Sequence, residues 1–260
     1  MLQILKSKNL NLLLLLSVIV LLFFGCTTND TTKNTIPIDV PQGYDLVWSD
    51  EFDDPLLDLE SWQYETGDGT DYELPVGWGN DEKQIYTVTA SNSGITTDFG
   101  ANVLRIRAQK SENGTYTSAK LTTKNLISIR FGRVDVRAKM PKGKGLWPAI
   151  WMLGDNIKDI SWPGCGEIDI VEMLGHEPHK MYATLHYTNS QNKHEESQGS
   201  KEVAEITFHE AYHVFSVDWD HEKITFLLDN TKVNEVPITT DMKEFLRSFY
   251  LILNVAVGGN

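Results

Sequence analysis

A two-residue alternation of apolar and polar side chains, recurring in short segments after Tyr44, constrains the fold more than any other feature of this sequence. Successive side chains of a β-strand point to opposite faces, so this period predicts strands with one buried face. The segments are rich in β-branched and aromatic residues and are separated by Gly, Asn or Asp. The clearest are residues 103–108, 133–138, 213–219, 223–229 and 250–257. An all-β domain is predicted.

The strand-rich region has no repeat of fixed period and no linker that would divide it. Asp229 and Asn230 lie between two alternating segments and predict a hairpin turn. Only residues 240–249 suggest a short helix. Because all-β domains of this size are common, we expect one β-sandwich over residues 44–260.

The charge of the chain limits its partners. Lys and Arg number 23 against 36 Asp and Glu, which gives a formal net charge of -13. A phosphate backbone would be repelled, so nucleic-acid binding is not expected. The acidity fits a neutral polysaccharide or a cation without selecting either. Two cysteines are too few for a disulfide scaffold.

The first 25 residues have the pattern of a signal peptide. Lys6 and Lys8 precede an apolar run over residues 10–24, which is shorter than the roughly 20 residues of a membrane-spanning helix. Gly25 followed by Cys26 resembles the bacterial lipoprotein cleavage box, which implies that Cys26 is lipidated. We expect an exported protein held on the cell envelope by lipid at Cys26. Plain secretion and an uncleaved anchor are the alternatives.

Residues 26–43 form a polar segment without apolar periodicity, which predicts a tether between the lipid and the domain. Contact with the membrane is expected through the lipid anchor only. The domain itself is expected to be a monomer.

The segment over residues 166–173 predicts the chemistry. Glu167 and Asp169 share one face of a strand, but strict alternation would bury Glu172 and expose Val171. Since an unpaired buried carboxylate is costly, we expect a β-bulge that returns Glu172 to the acidic face. Two carboxyl groups flanking a scissile bond are the minimum equipment of a glycosidase.

The spacing of the acids indicates a mechanism. With a bulge, Glu167 and Glu172 are about four steps of roughly 3.3 Å apart, and their side chains can close much of that distance. The resulting gap is near the roughly 5–5.5 Å of retaining enzymes, although an inverting gap stays open. Asp169 favours retention because it can share a proton with the nucleophile. A solvated acidic strand edge and a calcium site are the other interpretations.

The same residues resemble the catalytic signature of glycoside hydrolase family 16, in its bulge-containing Glu-x-Asp-x-x-Glu form. The resemblance to the laminarinase branch extends over residues 44–260, through residues 46–53, 77–87, 131–141, 145–153, 162–163 and 183–187. It implies a concanavalin-like jelly roll with a concave substrate cleft. It also implies endo-acting hydrolysis of β-1,3-glucan of the laminarin type by double displacement.

Chemistry and the resemblance agree on the roles of the three acids. Glu167 is expected to be the nucleophile and Glu172 the general acid and then the base. The pKa of Glu172 is expected to be raised by the negative charges beside it. Asp169 is expected to hydrogen-bond to Glu167 and modulate its charge.

Aromatic and polar residues are candidates for substrate binding. Trp147 and Trp151 are four residues apart in a strand-like segment, so they share a face. The period leaves open whether they are core residues or a floor for sugar rings, and the resemblance favours the cleft. Four further positions match those that the family uses around the cleaved bond: Asn80, Arg133, Trp162 and His186.

No catalytic metal or other cofactor is expected. Three histidines fall in segments interpreted as loops without a ligand pattern: His176, His179 and His194. Cys165 has no visible base partner and is interpreted as a small filler. The resemblance implies that a structural calcium is often present, to which Glu51 could contribute.

Two departures from the family pattern matter. Val171 replaces a frequent Met, which should alter packing little. Family members continue beyond the position of Asn260 through a Trp and a further strand, so we expect the C-terminal strand to be missing from the sheet and an edge to be exposed. Activity on mixed-linkage β-glucan or on a galactan such as agarose is the alternative within the family. A carbohydrate-binding lipoprotein without catalysis is the alternative outside enzymes.

Overall fold

The computed structural model describes residues 1–8, 39–203 and 207–259. Two antiparallel sheets of seven and six strands dominate this part of the chain, and we call them the inner and the outer sheet. The inner sheet has the order β14 (His194–Glu202), β13 (Lys180–Thr188), β12 (Glu167–Glu172), β11 (Leu146–Gly154), β18 (Phe249–Val257), β9 (Lys120–Thr122) and β3 (Gln63–Glu65).

The outer sheet faces the inner one. Its order is β17 (Thr231–Pro237), β16 (Lys223–Leu228), β15 (His213–Trp219), β10 (Gly132–Ala138), β1 (Leu2–Ser7) and β2 (Tyr44–Asp50). Two small sheets complete the strands: β4 (Gln84–Tyr86), β8 (Tyr116–Ser118) and β7 (Gln109–Lys110), and the pair β5 (Ser93–Asp98) and β6 (Ala101–Ile106). Two short 3-10 helices span Thr70–Tyr72 and Lys243–Leu246.

The core lies between the two sheets and follows from the alternation. On β15, Phe215, Val217 and Trp219 are almost fully buried. Trp219 packs edge-on against Phe249 of β18 across the sandwich, with ring centroids 5.5 Å apart. The β-sandwich jelly roll predicted from the sequence is confirmed.

Local predictions also hold at the turns. β16 and β17 are joined at Asp229 and Asn230, both with positive φ (48° and 62°), as a tight hairpin turn requires. The predicted short helix is the 3-10 helix Lys243–Leu246. Among the described residues, the structure contains no helix long and apolar enough to span a bilayer.

β1 differs from the sequence interpretation. It pairs with β2 on one side and with β10 on the other, and it buries the side chains of Leu2, Ile4 and Leu5. Residues that the sequence analysis assigned to a signal peptide can therefore serve as a sheet strand, because their apolar side chains fit the core. With β1 in place, the edges of β2 and β10 that face it are paired rather than exposed. Most of the predicted signal peptide and tether, with Cys26, lies outside the described residues.

Candidate active site

The predicted β-bulge is present on β12. Asp169 lies opposite Trp151 of β11 and Val171 opposite Ile150, so Ile170 is the extra residue. The register with β13 shifts at the same place. Ile170 and Val171 are both fully buried, although they are neighbours in sequence. The bulge thus absorbs one apolar residue and returns Glu172 to the face of Glu167 and Asp169.

His186 joins the first two acids. It lies on β13 directly opposite Glu167. Its Nε2 atom is 3.9 Å from Glu167 Oε1 and 3.4 Å from Asp169 Oδ2. At the other end of the row, Trp147 Nε1 donates a hydrogen bond of 2.9 Å to Glu172 Oε1. The row of acids is held between an imidazole and an indole.

Burial dominates the electrostatics of this row. It raises the pKa of Glu167 and of Asp169 well above their ordinary values, and it raises the pKa of Glu172. Repulsion from Asp169 adds to the rise at Glu167, and repulsion from Glu172 adds to the rise at Asp169. The hydrogen bond between Glu167 and Asp169 lowers the pKa of Asp169. The three carboxyl groups cannot all ionise together at low cost, so the row retains protons.

The pKa of Glu172 is raised as the sequence analysis expected, but the main cause differs. Burial is the largest effect, and the charge of Glu196 contributes less. The Trp147 hydrogen bond and His186 act in the opposite direction. A buried carboxyl group with a raised pKa is suited to act as a general acid near neutral pH.

The two tryptophans of β11 share one face, as the four-residue spacing predicted, and this is the acidic face, as the resemblance implied. Both are half-buried, so they are not core residues. Trp151 Nε1 donates a hydrogen bond of 2.7 Å to Asn254 Oδ1, and Lys120 Nζ lies 5.1 Å from the centre of the Trp151 ring. A cavity of about 220 Å³ opens beside Trp147, lined also by Glu172, Met173, Leu174, Tyr182 and Gln198.

Trp162 and Asn80 also lie near the acids. Trp162 is 47% exposed, and its hydrogen bond to Glu167 lowers the pKa of that carboxyl group. Asn80 lies near Trp147, the partner of Glu172, because Gly259 is close to both. A Cβ atom on Gly259 would be 2.6 Å from the Trp147 ring and 3.2 Å from the Asn80 carbonyl oxygen.

Arg133 is a correction to the sequence analysis, because the structure does not bring it to this site. It lies on β10 of the outer sheet, where Val134 faces the core and Arg133 faces the other way. Its Nε donates a hydrogen bond of 2.7 Å to Asp135 Oδ1. Arg133 neutralises a buried carboxylate and has no route to the acids of β12.

His194 and Glu196 were missed. His194 is the first residue of β14 rather than a loop residue, and its Nε2 lies 2.9 Å from His186 Nδ1. Glu196 lies directly opposite His186. The sequence feature that could have indicated them is the hairpin turn around Asn189. The register of that hairpin brings His186, His194 and Glu196 to one face.

Cys165 is fully buried, and burial raises the pKa of its thiol to about 12. This agrees with its interpretation as a filler. Glu51 acts instead on the buried Met1 ammonium, whose pKa it raises against the larger lowering effect of burial. Among the described residues, the side-chain groups close enough to hold a metal ion do not include Glu51. Its role in calcium binding stays a prediction.

The matches to known proteins agree with this geometry. Residues 81–258 match the model of the glycosyl hydrolases family 16. The chain belongs to this family of glycoside hydrolases. The relatives and structural neighbours of the chain include laminarinases and endo-1,3-β-glucanases. Catalysis in the family needs no cofactor.

Three relatives represent the matches. Glucan endo-1,3-beta-glucosidase A1 of Niallia circulans is 37% identical over 84% of this chain and 34% of its own length. A beta-glucanase of Rhodothermus marinus is 35% identical over 94% of this chain and 84% of its own. The laminarinase of Flavobacterium sp. UMI-01 superposes with a TM-score of 0.71 at 38% identity, covering 83% of this chain and 90% of that structure. The chain thus spans about a third of the first relative and most of the other two.

Proposed function

We propose that the protein is a retaining endo-β-1,3-glucanase that hydrolyses laminarin-type β-glucan by double displacement. The observation that carries the proposal is the row of Glu167, Asp169 and Glu172 on one bulged strand face, beside Trp147. The laminarinase relatives support the choice of linkage.

In the first step, Glu167 attacks the anomeric carbon as a carboxylate. This step requires the proton shared by the two groups to be on Asp169 when the substrate is bound, so that the negative charge is on Glu167. Glu172 gives its proton to the glycosidic oxygen as the bond to the leaving sugar breaks. The product is an ester between the anomeric carbon and Glu167.

In the second step, Glu172 is a carboxylate and takes a proton from water. The water oxygen attacks the anomeric carbon, and the bond to Glu167 breaks. Two inversions restore the β configuration. The hydrogen bond from Trp147 favours the ionised form of Glu172 that this step requires.

The surrounding side chains bind and orient the glucan. Trp147 and Trp162 offer apolar ring faces to pyranose rings, and Asn80 offers an amide to hydroxyl groups. His186 lies within 3.9 Å of Glu167 and keeps that carboxyl group in position. Arg133 has no part in this scheme.

Product stereochemistry tests the mechanism. NMR of the first-formed reducing ends from laminarin should show the β anomer, before mutarotation adds the α anomer. An α product would mean that Glu167 acts as a base through water. Reducing-sugar release from laminarin, lichenan and agarose side by side tests the linkage, and faster release from lichenan or agarose would replace the β-1,3 assignment.

Azide separates the roles of the two glutamates. Glu167→Ala should lose turnover, and azide should restore cleavage of an activated aryl glycoside to give an α-glycosyl azide. Glu172→Ala is the matched control. It still forms the covalent intermediate from the same substrate, so azide should give a β-glycosyl azide. The same configuration from both variants would contradict the assignment.

We also propose that the protein is exported and held on the cell envelope by lipid at Cys26, and that cleavage before Cys26 removes β1 from the mature chain. The support is Gly25 and Cys26 after the apolar run. Labelled palmitate should be incorporated by the full chain, and Cys26→Ala should release soluble protein. Cys165→Ala is the control and should keep the label. Equal membrane retention by Cys26→Ala would contradict the proposal.

A further inference from the structure

We propose that His186, His194 and Glu196 form a binding site for a divalent transition-metal ion of the zinc class at the rim of the cleft. The site uses two imidazole nitrogens and one carboxylate oxygen. Binding itself does not depend on the proposed function, whereas its effect on hydrolysis does.

The three ligand atoms are already close to coordination geometry. His186 Nδ1 is 2.9 Å from His194 Nε2 and 4.0 Å from Glu196 Oε2, and all three atoms lie within 4.8 Å of one another. Tetrahedral zinc with bonds of about 2.0–2.1 Å places its ligand atoms about 3.3–3.4 Å apart. The two nitrogens would separate by about 0.4 Å, and the oxygen would approach by about 0.7 Å.

The ligands can make these adjustments because two of them are exposed. His194 is exposed, and the Glu196 side chain has 59% of its surface accessible. Both lie on β14, which is the edge strand of the inner sheet. Pairing fixes their backbones, since Glu196 is directly opposite His186 and His194 lies two residues earlier on the same face.

An independent observation concerns the other nitrogen of His186. Its Nε2 lies 3.4 Å from Asp169 Oδ2, a buried oxygen that has no hydrogen-bond partner among the described residues. A metal ion on Nδ1 requires the ring proton to be on Nε2, which is the nitrogen that lies on the side of Asp169. A carboxylate that accepts the second N–H of a ligating histidine is the usual outer partner in zinc sites.

The donor set selects the class of ion. Two imidazoles and one carboxylate suit zinc, copper or nickel, whereas magnesium and calcium prefer all-oxygen ligands. Three protein ligands leave a fourth position for water.

A bound ion should slow hydrolysis. The His194 ring lies 4.7 Å from the Trp162 ring, so coordination would fix His186, His194 and Trp162 as one unit at the cleft. We expect the rate on laminarin to fall in parallel with occupancy.

Calorimetric titration of the tag-free full chain with zinc chloride tests the site. We expect one ion per chain and no binding of magnesium. His194→Gln should lower zinc affinity at least tenfold, and Glu196→Gln should lower it severalfold. His221→Gln is the matched control, because His221 is exposed and lies near a glutamate, Glu222, at 3.8 Å. Its zinc affinity should equal that of the wild type.

Three results would overturn the proposal. The first is no zinc binding by the wild type at millimolar concentration. The second is wild-type affinity in His194→Gln, which would place the ion between Glu167, Asp169 and His186 instead. The third is an equal loss in His221→Gln. These titrations contain no glucan, so their failure is distinct from a failure of the proposed activity. Inhibition of the wild type but not of His194→Gln would link the ion to hydrolysis.

Discussion

β10 and β12 are strands of opposite sheets that both carry buried carboxyl groups, and they treat them differently. On β10, Asp135 accepts hydrogen bonds from the guanidinium of Arg133 and from the hydroxyl group of Ser216. On β12, the neighbours of Glu167 and Asp169 are each other and an imidazole. The first carboxylate has a permanent cation beside it, and the second group has none.

This difference distinguishes a buried carboxyl group that has a structural role from buried carboxyl groups that can transfer protons. The guanidinium of Arg133 holds the charge of Asp135 fixed through Oδ1, so the side chains of β10 cannot exchange protons easily. Carboxyl groups buried together without a permanent cation have raised pKa values, so they can give and take back protons at a higher pH than exposed carboxyl groups can. The arrangement on β12 lowers the stability of the fold but provides carboxyl groups that can transfer protons.

Glu172→Gln should have the largest effect on activity. We expect kcat/KM on laminarin to fall by about 10²–10⁴-fold, because the leaving oxygen loses its proton donor. Activated aryl glycosides should lose much less at the first step. Thermal unfolding should show equal or higher stability, since a buried ionisable group is removed. A large loss of stability would make β12 resemble β10 and would contradict the comparison.

Asp135→Asn should lower stability and leave activity unchanged, which is the reverse of the effect of Glu172→Gln. It leaves the Arg133 charge buried without its partner, so urea unfolding should show a loss of about 3–5 kcal/mol. Activity per folded molecule should stay at the wild-type level. The double variant Arg133→Met, Asp135→Leu removes both charges and should recover most of the stability. A loss of activity in folded Asp135→Asn would contradict the conclusion that Arg133 has no part in the active site.

The pH dependence of the free energy of unfolding should show an effect of intermediate size. It tests whether the carboxyl groups of β12, unlike Asp135 of β10, gain protons on folding. The raised pKa values mean that the folded chain holds more protons than the unfolded chain above about pH 4. The contribution of the row to the free energy of unfolding is therefore highest at low pH and falls as pH rises through the raised pKa values. A carboxyl group whose pKa is higher by one in the folded chain accounts for a fall of about 1.4 kcal/mol.

The control for this prediction is the triple variant Glu167→Gln, Asp169→Asn, Glu172→Gln. Its free energy of unfolding, measured in urea from pH 4 to 8, should fall less than that of the wild type. Parallel curves would show that the row gains no protons on folding.

Trp147→Phe should have the smallest effect. It keeps a ring on the acidic face but removes the donor to Glu172, so the pKa of Glu172 should rise. The alkaline limb of the kcat/KM profile should move to higher pH, and activity should change by about tenfold or less, as for one hydrogen bond. An unmoved alkaline limb would exclude Trp147 from setting the proton affinity of Glu172.

Alternation and the cost of burying charge were enough to predict the sandwich, the bulge and the shared face of the three acids. The same rule applied to β10 would have excluded Arg133, because Val134 and Val136 must face the core. His194 could not be found this way, since its position depends on the register of β13 and β14. The strand formed by residues 2–7 was missed because Lys6 and Lys8, ahead of the apolar run at residues 10–24, fit the charged start of a signal peptide.

The bulge at Ile170 has a consequence for how the length of this chain can change. A one-residue deletion elsewhere in a central strand exchanges its two faces beyond that point and turns the core outward. At the bulge, deletion of Ile170 would leave Glu167, Asp169 and Glu172 at alternate positions, all on the same face. Strand β12 therefore has one place where the loss of a residue leaves the orientation of the faces unchanged, and it lies within the row of acids. Sequences with and without the extra residue can descend from each other in a single step without losing the site.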